Sequence, residues 1–455
     1  MSMRIVFASV LLSTAVSMAA EYPVMCWTYY RFEDRLDDDI TVGNWVGLGI
    51  NRPMTPIVDG NTDKAAFRRF LDKCHSAGLK VYVNDNRIGT AGVQSLCKGG
   101  SEADYRIACR EVRSDWADHP AVVGFYVYDE PEAEELATVF RAARIQFEEI
   151  PGKEPYLNLL PWFDWIWKHM GSHALAPYLD RVAEESGLDF LGYDCYTQQC
   201  GTEKGDDDYF HNLREWMEFG CRSGHRWNTT LLCVPHFNYQ IRSGDDFRWQ
   251  ITTAAAMGAN GISWFYPDHH MGYRSNYRNA PISPLGGRTE TFGWLSEEMR
   301  LFQRRYGSFF ASAKVELVSM AGRTYGGVSA FTSDADLRFV GASAEFPMLV
   351  SFFRGADNLR YVVLVSLNKK LPHNVKVTFA TDVCPFVRMW NRWDELVPSD
   401  DPGLANATGE TAGTQSLQRY FAPGQMELIR LGRCPHPQSA SRTKQSPGAS
   451  PKAVR

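Results

Sequence analysis

Three carboxylates of this 455-residue chain stand where acid–base chemistry can use them. The apolar run Gly124-Phe125-Tyr126-Val127-Tyr128 ends in Asp129-Glu130-Pro131, and a second run, GYDCYT at 192–197, carries Asp194. A carboxyl group among Phe125, Tyr126 and Tyr128 is poorly solvated, which favours its protonated form and suits it to be a general acid. Cleaving a glycosidic bond takes two such groups, one to protonate the leaving oxygen and one to meet the charge at the sugar carbon. Glu130 is the candidate acid, and Asp194 or Asp129 its candidate partner; Asp85 and Asp268 follow other apolar runs. On a fully extended chain Asp129 and Glu130 point to opposite faces, which favours Asp194.

Aromatic side chains gather at the ends of the same runs. Trp27, Tyr196, Trp264 and Tyr266 are candidate platforms for the C–H faces of a sugar. Trp264, at the end of the last run, is the one best placed for a cleft floor. Asn84, Asn158, His236, Asn238 and Asp268 are candidate partners for hydroxyl groups. The run Asp268-His269-His270 lacks metal-ligand spacing, no G-x-S-x-G elbow is present, and no metal or cofactor is expected.

These residues need a scaffold that brings strand ends together. Apolar runs at 23–30, 45–52, 79–84, 122–128, 156–160, 190–195, 230–234 and 261–265 alternate with amphipathic stretches at 64–77, 105–116, 132–149, 176–186, 209–223 and 246–257, followed by 295–306. Eight strands with intervening helices predict an α/β fold, a (β/α)8 TIM barrel over residues 21–311, with reacting groups at the C-terminal strand ends. Helical periodicity stops near 312, and runs at 349–354, 361–367, 375–379 and 426–431 predict a small C-terminal antiparallel β-sandwich over 312–434. Residues 435–455, rich in Pro, Ser and Ala, read as a disordered tail.

Composition narrows the partners. With 44% hydrophobic and 22% charged residues the chain is globular, and Lys+Arg 48 against Asp+Glu 53 gives a net charge of −5, with no basic stretch to track nucleic acid. Residues 1–20 read as a signal peptide: Arg4, an apolar stretch too short to span a membrane, and Ser17-Met18-Ala19. A secreted or periplasmic protein is therefore expected, without an integral membrane segment in the mature chain. Ten cysteines fit an oxidising compartment; Cys97 with Cys109, Cys195 with Cys200 and Cys221 with Cys233 are local pairs, whereas Cys26 and Cys233 also read as buried thiols. Asn228-Thr229-Thr230 and Asn406-Ala407-Thr408 match glycan acceptor sites.

The stretches GFYVYDEPEAEELATVFRAAR (124–144), PGKEPYLNLLP (151–161), GLDFLGYDCY (187–196), MGANGISWFYP (257–267) and NAPISPLGGRTETFGWLSEEMRLFQ (279–303) resemble secreted bacterial glycoside hydrolase-like barrels. These are distantly similar to the retaining-glycosidase barrel clan. The resemblance implies a carbohydrate substrate and an acid/base glutamate after the fourth strand, which maps onto Glu130 with Asp129 in the place of the usual Asn. The clan's second glutamate follows the seventh strand, where this chain has Cys233-Val234-Pro235-His236 and no acid. Asp129-Glu130 also resembles the Asp-Glu pair of hexosaminidase barrels, where the aspartate orients a substrate 2-acetamido group and a late Tyr and Trp, here Tyr196 and Trp264, close the pocket. The resemblance thus implies a glycoside hydrolase or, with the second acid missing, a carbohydrate-binding barrel without turnover.

Overall fold

The apolar runs of the first 265 residues pair side by side, all in one direction. A computed structural model describes residues 21–268, 277–380, 383–390, 396–398 and 414–433. Strands β1 (Val24–Cys26), β2 (Arg52–Pro53), β3 (Val81–Val83), β4 (Val122–Asp129), β5 (Glu154–Leu159), β6 (Phe190–Asp194), β7 (Arg226–Leu232) and β8 (Gly261–Phe265) form a parallel sheet in the order β2-β1-β8-β7-β6-β5-β4-β3. Bridges from Met54 to Tyr82 and from Val58 to Asp85 close the ring. Parallel strands covered by helices are buried on both faces, which is why they read as near-continuous apolar runs.

The helices are α1 (Asp38–Gly47), α2 (Lys64–Ser76), α3 (Thr90–Cys97), α4 (Glu102–Val112), α5 (Leu136–Glu149), α6 (Trp167–Met170), α7 (Leu175–Ser186), α8 (Glu203–Ser223), α9 (Gly244–Ala256) and α10 (Glu290–Phe302). Asp63, Ser101, Thr202, Ser243 and Thr289 cap α2, α4, α8, α9 and α10 by accepting backbone N–H bonds. Most of the run at 45–52, expected as a strand, differs. Asp37 accepts from the Asp39 amide and starts α1, which buries Thr41, Val42 and Trp45. Only Arg52–Pro53 remains as the second strand, with backbone bonds from Met54 to Cys26 and from Thr55 to Tyr82 beyond it.

The barrel interior is an aromatic plug of Trp27, Tyr82, Tyr126, Tyr156, Phe190 and Tyr266, with Met25 and Met54. Glycines opposite the large rings make room for them: a Cβ on Gly124 would lie 2.0 Å from the Glu154 carbonyl oxygen, and one on Gly192 would lie 2.5 Å from Tyr156 Oη.

The C-terminal strands are β9 (Lys314–Ala321), β10 (Leu337–Val340), β11 (Met348–Arg354), β12 (Arg360–Ser366), β13 (His373–Ala380), β14 (Val383–Trp390), β15 (Leu396–Pro398), β16 (Thr414–Phe421) and β17 (Met426–Arg433). They form an antiparallel sandwich of a six-stranded sheet, β15-β14-β17-β12-β11-β9, on a three-stranded one, β10-β13-β16. Along β11, Val350 and Phe352 enter the sandwich core, while Leu349 and Phe353 join the core shared with the barrel helices. Period-two alternation thus serves two cores from one strand.

The eight described cysteines are free thiols, contrary to the three expected local pairs. The members of each pair face different surroundings. Cys109 is buried under α4 while Cys97 is part-exposed at the end of α3; Cys195 contacts Thr197 Oγ1 while Cys200 accepts from Asn238; Cys221 is on the exposed side of α8 while Cys233 is in the core. Asn228 is fully buried in β7 and its Nδ2 points at Tyr156 Oη and Met25 Sδ, so no glycan can reach it in the folded chain. The signal-peptide, tail, Asn406 and His269-His270 readings lie outside the described residues. No helix among the described residues is long and apolar enough to cross a membrane.

Candidate active site

The ends of β4, β5 and β6 bring three carboxyl groups to one place. Strand β4 carries an irregularity against β5: Tyr126 pairs with Tyr156, but Tyr128 pairs with Leu157 and Asp129 with Asn158. Val127 and Tyr128 consequently both face the helix layer, where Tyr128 Oη donates to Glu135 at 3.0 Å. The extra residue resets the parity of the strand, so Asp129 turns inward, contrary to what alternation on an extended chain predicts. Glu130 then adopts φ +46°, a left-handed conformation costly for a non-glycine residue, while its N–H donates to the Asn158 carbonyl at 3.0 Å. Bulge and turn together direct both neighbouring carboxyls into the barrel mouth.

Asn158, at the register position between them, ties the group together. Its Nδ2 donates to Asp129 Oδ1 at 3.0 Å and to Asp194 Oδ1 at 2.9 Å, and Tyr29 Oη donates to Asp129 Oδ2 at 3.4 Å. Glu130 and Tyr196 line the same cleft as Asp194. The ionised Asp194 beside it, then desolvation and Asp129, hold the Glu130 carboxyl well above the usual range. Burial raises Asp129 and Asp194 as well, against the pull of the Asn158 bonds. Like charges this close cannot all ionise, and the physical reading is a protonated Glu130 beside an ionised Asp194.

Above the carboxyls opens a cleft of about 530 Å³. Trp27, stacked on Tyr29 at 5.8 Å, lines it together with Tyr196, Tyr239, Phe265 and Tyr277. Phe163 and Trp165, stacked at 5.6 Å, and Phe237 lie on its rim, with Trp165 69% and Phe237 66% exposed. His236 also lines the cleft; its Nδ1 donates to the Val234 carbonyl at 2.8 Å, burial holds it below its ordinary pKa, and a neutral ring keeps Nε2 as an acceptor.

Of the residues singled out from sequence, Glu130, Asp129, Asp194, Trp27, Asn158, Tyr196 and His236 meet in this cleft. Trp264 does not. It is fully buried against Phe247 of α9, because on β8 the inward-facing residue of the last pair is Phe265, one position later. Tyr266 is buried behind the cleft against Tyr29 and Tyr277. Asn84 is buried, its Nδ2 directed at Met54 Sδ, and exposed Asn238 is turned to Cys200. Asp268 is not part of the lining; burial pushes its carboxyl up to about 7. Asp85 is bound by Arg87 and Trp116 Nε1 and belongs to the framework. Tyr239, Phe265 and Tyr277 were missed: Tyr239 and Tyr277 stand in loops beyond the apolar runs, and Phe265 needed the parity of β8.

No protein-family model matches the chain, and no curated protein is similar to it in sequence. Solved structures are similar in fold. A catalytic mutant of a glycoside hydrolase family 42 β-galactosidase from G. stearothermophilus superposes with a TM-score of 0.61 over 91% of this chain and 99% of its own, at 8% identity. A glycoside hydrolase family 5 protein from Bacteroides vulgatus gives 0.52 over 90% and 89%, at 11% identity. The cold-adapted β-galactosidase from Rahnella sp. R3 gives 0.51 at 13% identity; the alignment takes in 67% of this chain and 58% of the Rahnella enzyme's length. At these identities the likeness is one of fold.

Proposed function

We propose that the protein is a glycoside hydrolase acting on O-glycosidic bonds of an oligo- or polysaccharide, with Glu130 as general acid. The observation that carries this reading is the convergence of three carboxyls from β4 and β6 beneath an aromatic cleft, where the charge of Asp194 favours a proton on Glu130. A glycosidic oxygen entering between them becomes the acceptor of that proton. Asp194 is then left ionised near the sugar carbon, where it opposes the positive charge of an oxocarbenium-like transition state. Asp129 is the alternative second carboxylate, suited to orienting a 2-acetamido group. The fold likeness supports a sugar-cleaving barrel, and residues 1–20 support export. A second reading, a carbohydrate-binding barrel without turnover, is favoured by one observation: the chain after β7 presents His236 to the cleft where related barrels carry a second acid.

The test is turnover of aryl glycosides, plain and 2-acetamido, by the protein and three variants. Glu130→Gln is expected to lose about 10²–10⁴-fold in kcat; retained activity discards Glu130 as the acid. Loss on plain sugars with Asp194→Asn selects the pair from two strands, whereas activity confined to 2-acetamido sugars and lost with Asp129→Asn selects substrate assistance. Polysaccharide binding without any turnover selects the second reading.

A further inference from the structure

We propose that Asn158 is the positioning residue of this site, one side chain and its own carbonyl fixing all three carboxyls. The inference rests on the proposed function and deepens it. Asn158 is held by the β5 ladder, with its Cα opposite Asp129 on one side and Gly192 on the other. Its two amide hydrogens go to Asp129 and Asp194, and its carbonyl receives the Glu130 N–H that closes the left-handed turn. One residue thus sets the spacing between β4 and β6 carboxylates and the direction of the acid.

Asn158 is only 2% exposed, so it offers a ligand almost no surface, and its influence passes through the groups it holds. A carboxylate that accepts an N–H bond is favoured in its charged form. Asp129 and Asp194 each receive one from Asn158, which keeps them acceptors while Glu130 keeps the proton. The other titratable groups facing the cluster are Tyr29 after β1, Tyr126 in β4 with Glu132 beyond it, Tyr156 in β5, Tyr193 in β6 with Cys195 and Tyr196 after it, and His236 and Tyr239 after β7. None of them donates to both aspartates. Asn158 alone bridges them among the described residues.

The experiment compares Asn158→Ala, which removes both donors, and isosteric Asn158→Asp, which keeps the shape and replaces the donors with acceptors. Neither alters the backbone bond to Glu130. Folding is checked by thermal melting, and kcat, KM and the pH profile are read on whichever aryl glycoside is turned over. The expected result is a kcat lower by about tenfold or more, KM within about threefold, and an acidic limb moved up by roughly one pH unit, since the aspartates lose the bond that favours their charge. A raised KM with unchanged kcat overturns the proposal, because Asn158 then contacts substrate. An unmoved pH limb in a folded variant also overturns it. If no glycoside is turned over, the proposed activity fails separately, and carboxyl-carbon NMR titration of the protein and Asn158→Ala decides. Two aspartate resonances titrating higher in the variant support the positioning role; identical titrations overturn it.

Discussion

At the residue scale, the site stores conflict. Glu130 combines a left-handed backbone with a carboxyl set against two others, and such costs persist only where surrounding structure enforces them. The conflict depends on pH. An acid whose folded pKa is raised contributes least to stability once the pH exceeds its unfolded value: the unfolded chain ionises it freely, the folded chain pays to keep it neutral, and stability falls as pH climbs toward the folded pKa. Glutamine has nothing to ionise. Glu130→Gln is therefore expected to melt higher than the parent, with the gap growing from pH 5 to pH 8. Because the side chain is open to the cleft, screening limits the gain to about 1–3 °C. A constant gap, or one that shrinks with pH, rejects the strained-acid picture. The carboxylates were legible in the sequence because acids at the ends of apolar runs have few structural uses. The direction of Asp129 was not, since it depends on one extra residue in β4 that no local pattern announces.

At the element scale, the positioning comes from how β4 packs. Gly124 admits Tyr82 and the Glu154 carbonyl, and the bulge near Val127 lets the same strand carry an aromatic plug below and two inward acids above. A methyl at Gly124 must push backbone rather than a flexible side-chain end, which costs about 1–3 kcal/mol or more. Gly124→Ala should melt well below the parent and lose activity in proportion to cleft distortion. The contrasting change is Gly293→Ala in α10, where a Cβ meets nothing within 4 Å. There the helix gains about 0.5–1 kcal/mol from reduced backbone freedom, and the melting temperature should rise slightly. Equal effects of the two substitutions, read by thermal unfolding, contradict this account of the interior. The alternation of strands and helices was readable because a covered parallel sheet needs apolar runs. It failed at the end of α1, where Trp45 and Val46 read as the start of a strand but the Asp37 cap and a buried helical face prevail, and at Trp264, where the correct strand carried the wrong face.

At the scale of the whole molecule, the sandwich braces the barrel from the side. Trp249 Nε1 of α9 donates to the Leu367 carbonyl at 3.1 Å, Lys369 lies 4.2 Å over the same ring, and Thr252 donates to the Gly424 carbonyl at 2.9 Å. The sandwich also reaches the turn after β6, where Lys369 Nζ donates to the Gln198 carbonyl at 2.9 Å, but no described sandwich residue lines the cleft. The field of the cleft has one sign. Among the described lining residues there are three carboxyls and neither lysine nor arginine, His236 is neutral, and Arg278 is turned to the Phe237 and Tyr239 carbonyls at 3.4 and 3.5 Å. The chain as a whole adds a net charge of −5. In a low-dielectric cleft such charges act strongly on a bound ion and steer approaching ones. A glycoside bearing a carboxylate or sulfate meets repulsion both on approach and in place, with no guanidinium to receive it. Aryl uronides should therefore show kcat/KM at least about tenfold below the matching neutral glycosides at low salt. Added salt should narrow the gap only in part, because screening reaches the approach more than the buried contact. Uronides turned over as fast as neutral sugars overturn the account of a cleft whose field has one sign.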